Sequence, residues 1–156
     1  MNLTALLTVG IGLLITVTAS LTAVPDSKDE AIKNDRKRYA GTWQVVALEV
    51  DGNKTDEEDA KKITVINAAD GKWGIEVEGK VIARGTSKLD PTQKPKAVDL
   101  TVTEGESSGQ TALGIYQFGD DTRKVCLAPA GKERPTEFAA PAGSGHILAV
   151  LQRVKQ

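Results

Sequence analysis

Ala97-Val98-Asp99-Leu100-Thr101-Val102-Thr103 alternates apolar and polar side chains from Val98 to its end. Neighbouring side chains on a strand project to opposite faces, so Val98, Leu100 and Val102 share one face while Asp99, Thr101 and Thr103 share the other. The stretch predicts a strand with one dry side and one wet side. It runs into Glu104-Gly105-Glu106-Ser107-Ser108-Gly109, a polar loop, and a second apolar run follows at 113–118.

The same reading extends in both directions. Residues 42–50 are rich in Val and end at Asp51-Gly52-Asn53, a turn signal. Thr55 and Glu58 have capping-box spacing, which predicts a short helix over 56–62. Strands are expected at 62–68, 72–78 and 81–89, separated by Asp70-Gly71 and Glu78-Gly79-Lys80, and again at 123–128 and 147–154. About eight strands recur at a spacing of roughly ten residues with turn signals between them, the pattern of an all-β sandwich or barrel. The expected architecture is a single up-and-down antiparallel barrel over 40–156, with one or two short helices. Closure also removes exposed sheet edges.

The first 25 residues hold no charged side chain. Residues 3–17 are mostly apolar, and Val17-Thr18-Ala19 and Leu21-Thr22-Ala23 offer small residues before a cut, so 1–23 reads as a signal peptide and the chain as exported to the periplasm, envelope or exterior. The alternative is an uncleaved anchor over 3–24, just long enough to span a bilayer. No Lys or Arg precedes the apolar core, and no Cys near the cut would take a lipid. Residues 24–39 form a charged linker or short helix, with Ser27 and Glu30 at capping-box spacing and Arg36-Lys37-Arg38 read as its solvated end.

Charge excludes one class of partner. Lys plus Arg number 20 and Asp plus Glu 21, for a net charge of −1, which gives no basis for nucleic-acid binding. Cys126 is the single Cys, so no intramolecular disulfide forms, and its place in Lys124-Val125-Cys126-Leu127-Ala128 reads as a small packed hydrophobe.

The chain resembles a lipocalin-like domain family of unknown function that is abundant in planctomycete bacteria. The resemblance covers most of the chain up to Arg153. It rests on Gly41-Thr42-Trp43-Gln44-Val45-Val46, Asp51-Gly52, Leu89-Asp90-Pro91, Lys94-Pro95-Lys96-Ala97-Val98-Asp99-Leu100, Gly114-Ile115-Tyr116, Arg134-Pro135-Thr136-Glu137-Phe138 and Leu151-Gln152-Arg153. It implies a small lipocalin-like barrel, frequently behind a signal peptide, and it carries over no activity. In lipocalins a Gly-x-Trp motif opens the first strand and an Arg of the last strand packs on that Trp. Trp43 and Arg153 are therefore expected to be structural, the guanidinium contributing about 0.5–2 kcal/mol over the indole.

Catalytic patterns are sparse. His146 is the single His and follows the flexible Gly143-Ser144-Gly145, where a triad with Ser144 or Ser107 has no fixed geometry. Glycine-rich phosphate loops, paired zinc histidines and calcium-loop spacing are not found in the sequence. Arg134 and Glu137 are expected to form a salt bridge that pins a loop, with Phe138 plugging the core. No cofactor or metal is expected.

Three functional readings remain. The leading one is a non-enzymatic module that binds a small apolar or amphipathic ligand, lined by Val98, Leu100, Val102, Leu113, Ile115, Tyr116 and Phe118; a slip of one residue would invert that set. The second is a solid-cored structural or protein-interaction domain of the envelope. The third is an enzyme using His146 or the Arg134 and Glu137 pair. A membrane is a partner if the N-terminal segment stays uncleaved, and the sequence leaves the oligomeric state open.

Overall fold

The computed structural model describes residues 26–155. The signal-peptide and anchor readings fall on residues outside the described ones. Helix α1 (Ser27–Tyr39) leads into β1 (Gly41–Val50), β2 (Asn53–Lys54) and the one-turn α2 (Glu57–Ala60). The strands β3 (Ile63–Asn67), β4 (Lys72–Val77), β5 (Lys80–Asp90), β6 (Lys96–Glu104), β7 (Thr111–Phe118), β8 (Thr122–Leu127) and β9 (Ile147–Arg153) follow. Each strand from β3 onward pairs antiparallel with the next, and β9 returns to β1, so eight strands close a lipocalin-like barrel with β2 as a short hairpin extension of β1.

Closure rests on the register Trp43 opposite Arg153. The Arg153 guanidinium lies 4.2 Å over the indole, and its Nη1 donates to the Ala40 carbonyl at 2.9 Å. Gly41 explains the motif's glycine. Its φ is +124°, and a Cβ there would meet Arg153 Nη1 at 2.6 Å. A bulge between Val45 and Ala47 then turns Leu48 onto the inner face that Trp43 and Val45 already occupy.

Helix α1 plugs one end of the barrel. Asp26 caps it by accepting from the Lys28 amide, one residue earlier than the Ser27 spacing suggests. The basic cluster is not a free end, because Arg36 donates to Ser87 Oγ at 2.6 Å and to the Ser87 carbonyl at 2.8 Å, and Arg38 stacks 4.4 Å over Phe118. Lys37 is exposed. Asp35, buried at the interface, accepts from the Tyr116 hydroxyl at 2.7 Å and from Lys96 Nζ at 2.6 Å. Tyr39 sits in the core, edge-on to Tyr116 and Phe118.

The 19 residues joining β8 to β9 (128–146) fold back over the outer face of β6, β7 and β8. Ile115 and Cys126 are fully buried beneath this layer, with Ala97 beside them and Ala140 buried on the layer's own inner side. Strand β7 is therefore dry on both sides, which matches its nearly unbroken apolar sequence.

Burial, followed by the hydrogen bond to Asp35, pushes the Tyr116 hydroxyl well above its usual range. The folded group keeps its proton where the unfolded one, titrating near 10, has lost it. This contact therefore stabilises the fold below pH about 10 and fades as pH rises beyond it. Tyr116→Phe should lower the unfolding free energy at pH 7 by about 1–2 kcal/mol and flatten the loss of stability above pH about 10. Urea denaturation of both proteins across that range measures it, and superimposable pH slopes would refute the assignment.

Candidate ligand-binding site

Antiparallel pairing sorts the inner residues into two ends. The plugged end carries Asn67, opposite Gly41, and Arg123, opposite Leu151. The other end carries the β4–β5 turn, the starts of β7 and β9 and the last residues of β6 and β8. Between them lies a cavity of about 290 Å³ whose walls are almost wholly aliphatic and aromatic. It continues into a wider mouth of about 900 Å³, and Trp73, Ile75, Ile82, Leu100, Leu127 and Ile147 line both parts. Three large apolar side chains at this mouth stay in water: Val81 at 37 %, Ile82 at 50 % and Ile147 at 38 % exposure.

Trp73 holds the wall at the β4–β5 side. Its indole crosses Gly85, where a Cβ would come within 2.5 Å of the ring, and its Nε1 donates to the Thr86 carbonyl at 2.9 Å. The same Cβ would run into the Thr101 carbonyl oxygen, so the position has no room for a larger residue.

The seven expected lining residues divide by strand parity. Leu100 lines the cavity and the mouth, Val102 lines the mouth, and Val98 and Tyr116 belong to the packed core with Phe118 against it. Leu113 and Ile115 face the other way. Adjacent residues of one strand point to opposite sides, so Ile115 and Tyr116 cannot both face inward. Ile115 was plausible because the 128–146 layer makes the outer face of β7 apolar as well.

Sequence reasoning missed Trp73, Asn67 and Arg123. The parity of Arg123, Val125 and Leu127, and of Ile63, Val65 and Asn67, was the available signal. Arg123 is 2 % exposed and lies between two rings, 3.9 Å from the Tyr39 centroid and 4.5 Å from that of Trp43. Its Nη1 donates to the Tyr39 carbonyl at 3.0 Å, while its Nε has no partner among the described residues. Burial lowers its pKa, and the neighbouring Arg153 charge acts in the same direction. Asn67 Oδ1 is likewise buried without a partner.

The loop residues carry a correction. Arg134 does pin the loop, but its ion-pair partner is Asp99 at 2.7 Å, and Glu137 is exposed. Arg134 Nη1 also donates to the Val98 and Gly114 carbonyls at 3.0 and 2.7 Å. A fork that satisfies two strand carbonyls and a carboxylate is a better anchor than a local pair three residues apart. Phe138 does not plug the core; it is half-buried outside the barrel, with Lys124 Nζ 5.6 Å from its ring. The Nδ1 of His146 lies 3.3 Å from the Ala139 carbonyl, and Ser144 Oγ contacts the Pro141 carbonyl and the His146 amide rather than the imidazole. Among the described residues, no group of three His, Cys, Asp or Glu is placed to hold a metal ion, and no helix is long and apolar enough to cross a membrane. No protein family, curated protein or solved structure matches this chain.

Cys126 reports on the loop. Its thiol is fully buried, donates to the Ala139 carbonyl at 3.3 Å, and is pushed up in pKa by that burial. Arg134→Ala should cost about 2–4 kcal/mol, through the lost fork and the carbonyls left unpaired, and should open the loop. Reaction of Cys126 with a thiol reagent should be slow in the native protein and much faster in the variant under native conditions. Equal rates in the two proteins would show that Arg134 does not hold the layer down.

Proposed function

We propose that this protein is a non-enzymatic binding module that takes a small apolar or amphipathic ligand inside its barrel. The observation that carries this reading is the continuity of the inner cavity with a largely apolar, water-exposed mouth. A barrel of eight strands either fills with side chains or keeps room for one small ligand. Here the inner wall is largely Val, Ile, Leu and Ala, with a single Trp at the β4–β5 side, and these side chains leave space unfilled. Exposed Val81, Ile82 and Ile147 are unfavourable in water and are covered when an apolar ligand seats against them. The remaining volume favours this reading over a solid-cored interaction domain. His146, Arg134 and Glu137, held by or near backbone carbonyls and solvent, favour it over an enzyme.

Export and membership of the lipocalin-like planctomycete family belong to the same proposal. Support for export is the charge-free apolar segment before Pro25, and support for the family is the ordered set of motifs from Gly41 to Arg153. A barrel without a disulfide suits either an oxidising or a reducing compartment.

An environment-sensitive apolar dye tests the site. Titration should give saturable one-to-one binding with altered tryptophan emission, since Trp73 lines the site. Ala149→Phe, which fills the cavity from β9, should abolish binding while leaving the circular dichroism spectrum unchanged. A native protein that binds no dye, or a variant that binds as well, would point instead to a filled barrel.

A further inference from the structure

We infer that the ligand is a monoanionic amphiphile whose acidic head is drawn to Arg123 at the floor of the barrel while its apolar tail runs toward the mouth. This rests on the binding reading above and adds the chemistry and direction of the ligand. A guanidinium keeps its charge at any ordinary pH, and a cation withdrawn from water destabilises the fold unless it is paired. Arg123 is withdrawn almost completely, yet among the described residues no carboxylate pairs with it; its charged neighbour is Arg153, of like sign. Asp35, the buried acid of the same end, is already committed to Tyr116 and Lys96.

The ring sandwich and one carbonyl offset part of that cost, but they leave Nε without an acceptor. Fold closure does not need this residue either, because Arg153 already covers Trp43 and reaches the Ala40 carbonyl. Arg123 and the unpartnered Asn67 both line the apolar cavity, and both sit at its plugged end. Within the cavity polarity is thus confined to the floor and the walls above it are apolar, whereas the mouth sets Lys80, Glu106, Ser107 and Gln110 among its apolar residues, out in water. A carboxylate head matches the floor, since it accepts from Arg123 and neutralises it. At about 30 Å³ per heavy atom, the space of one water in the liquid, 290 Å³ holds roughly ten heavy atoms. Octanoate has that size, and a longer chain would extend into the mouth.

The test compares octanoate with 1-octanol, of equal chain length and no charge, as competitors of the bound dye at pH 7.5. Octanoate should displace the dye at about ten- to hundredfold lower concentration than octanol, the worth of one charge-assisted hydrogen bond. In Arg123→Met the octanoate-to-octanol ratio should fall to about one, each competitor being referred to the variant's own dye affinity. If octanol competes as well as octanoate, the anionic-head assignment is wrong while the binding module stands. If the dye itself does not bind, the binding module fails with it. Should Arg123→Met not fold, the octanoate-to-octanol ratio in the native protein decides alone.

Discussion

The first and last strands of the sheet meet edge to edge, with Trp43 opposite Arg153 and the guanidinium lying flat over the indole. Everything else in the molecule is arranged around this junction. It turns an open sheet, which would present two unpaired edges to solvent, into a barrel with none. It also decides which end is shut. Trp43, Tyr39, Arg123 and Arg153 crowd the end where β1 begins, and α1 arrives there already in position, since Tyr39 is only two residues before the first strand. With the large rings spent at one end and Trp73 set opposite Asn67, the other end has mainly aliphatic side chains to fill it, and it stays open.

The 128–146 layer has a second structural effect. By covering the outside of β6, β7 and β8 it makes this side of the barrel two layers thick, with its own small core of Ile115, Cys126, Ala97 and Ala140. Arg134 is the rivet, reaching from the layer to carbonyls on the adjacent strands β6 and β7 and to the Asp99 carboxylate of β6. The barrel wall there is stiffened from outside. Among the described residues nothing covers the β4–β5 side in this way, and it is where Val81 and Ile82 stand exposed at the mouth.

How much of this was legible follows from which physical signals are local. Strands expected at 42–50, 72–78 and 147–154 lie at Gly41–Val50, Lys72–Val77 and Ile147–Arg153, because period-two alternation and glycine turns are written into contiguous residues. Val98 and Leu100 came out on the inner face for the same reason. Strand β7 was not resolvable, since Leu113-Gly114-Ile115-Tyr116-Gln117-Phe118 is apolar on both faces and only the distant 128–146 segment explains why. The bond from Arg134 to Asp99 spans 35 residues, whereas Glu137 lies three away, and spacing alone favours the nearer partner. Arg123 follows a turn and precedes Lys124, where a charged side chain ordinarily stands in water; its parity with Val125 and Leu127 was the one clue that it points inward.

That clue bears on what the interior is for. Arg153 and Arg123 both stack on Trp43, but they are not equivalent. Arg153 hands its charge to carbonyls of the α1–β1 junction and stays partly in contact with water, so its charge remains solvated at little cost. Arg123 is sealed in, reaches one carbonyl and faces the repulsion of its neighbour. If stability alone governed this position, an apolar side chain of similar volume would serve as well or better, as replacements of buried ionic groups by hydrophobes generally show. An aliphatic residue would have continued the Val125 and Leu127 face without interruption and closed the floor of the cavity. What the guanidinium adds is a fixed positive charge at the one place that a molecule sliding in from the mouth reaches last. A charge so placed is of little use to the empty barrel and of considerable use to an occupied one, because the surrounding aliphatic walls keep water from screening it.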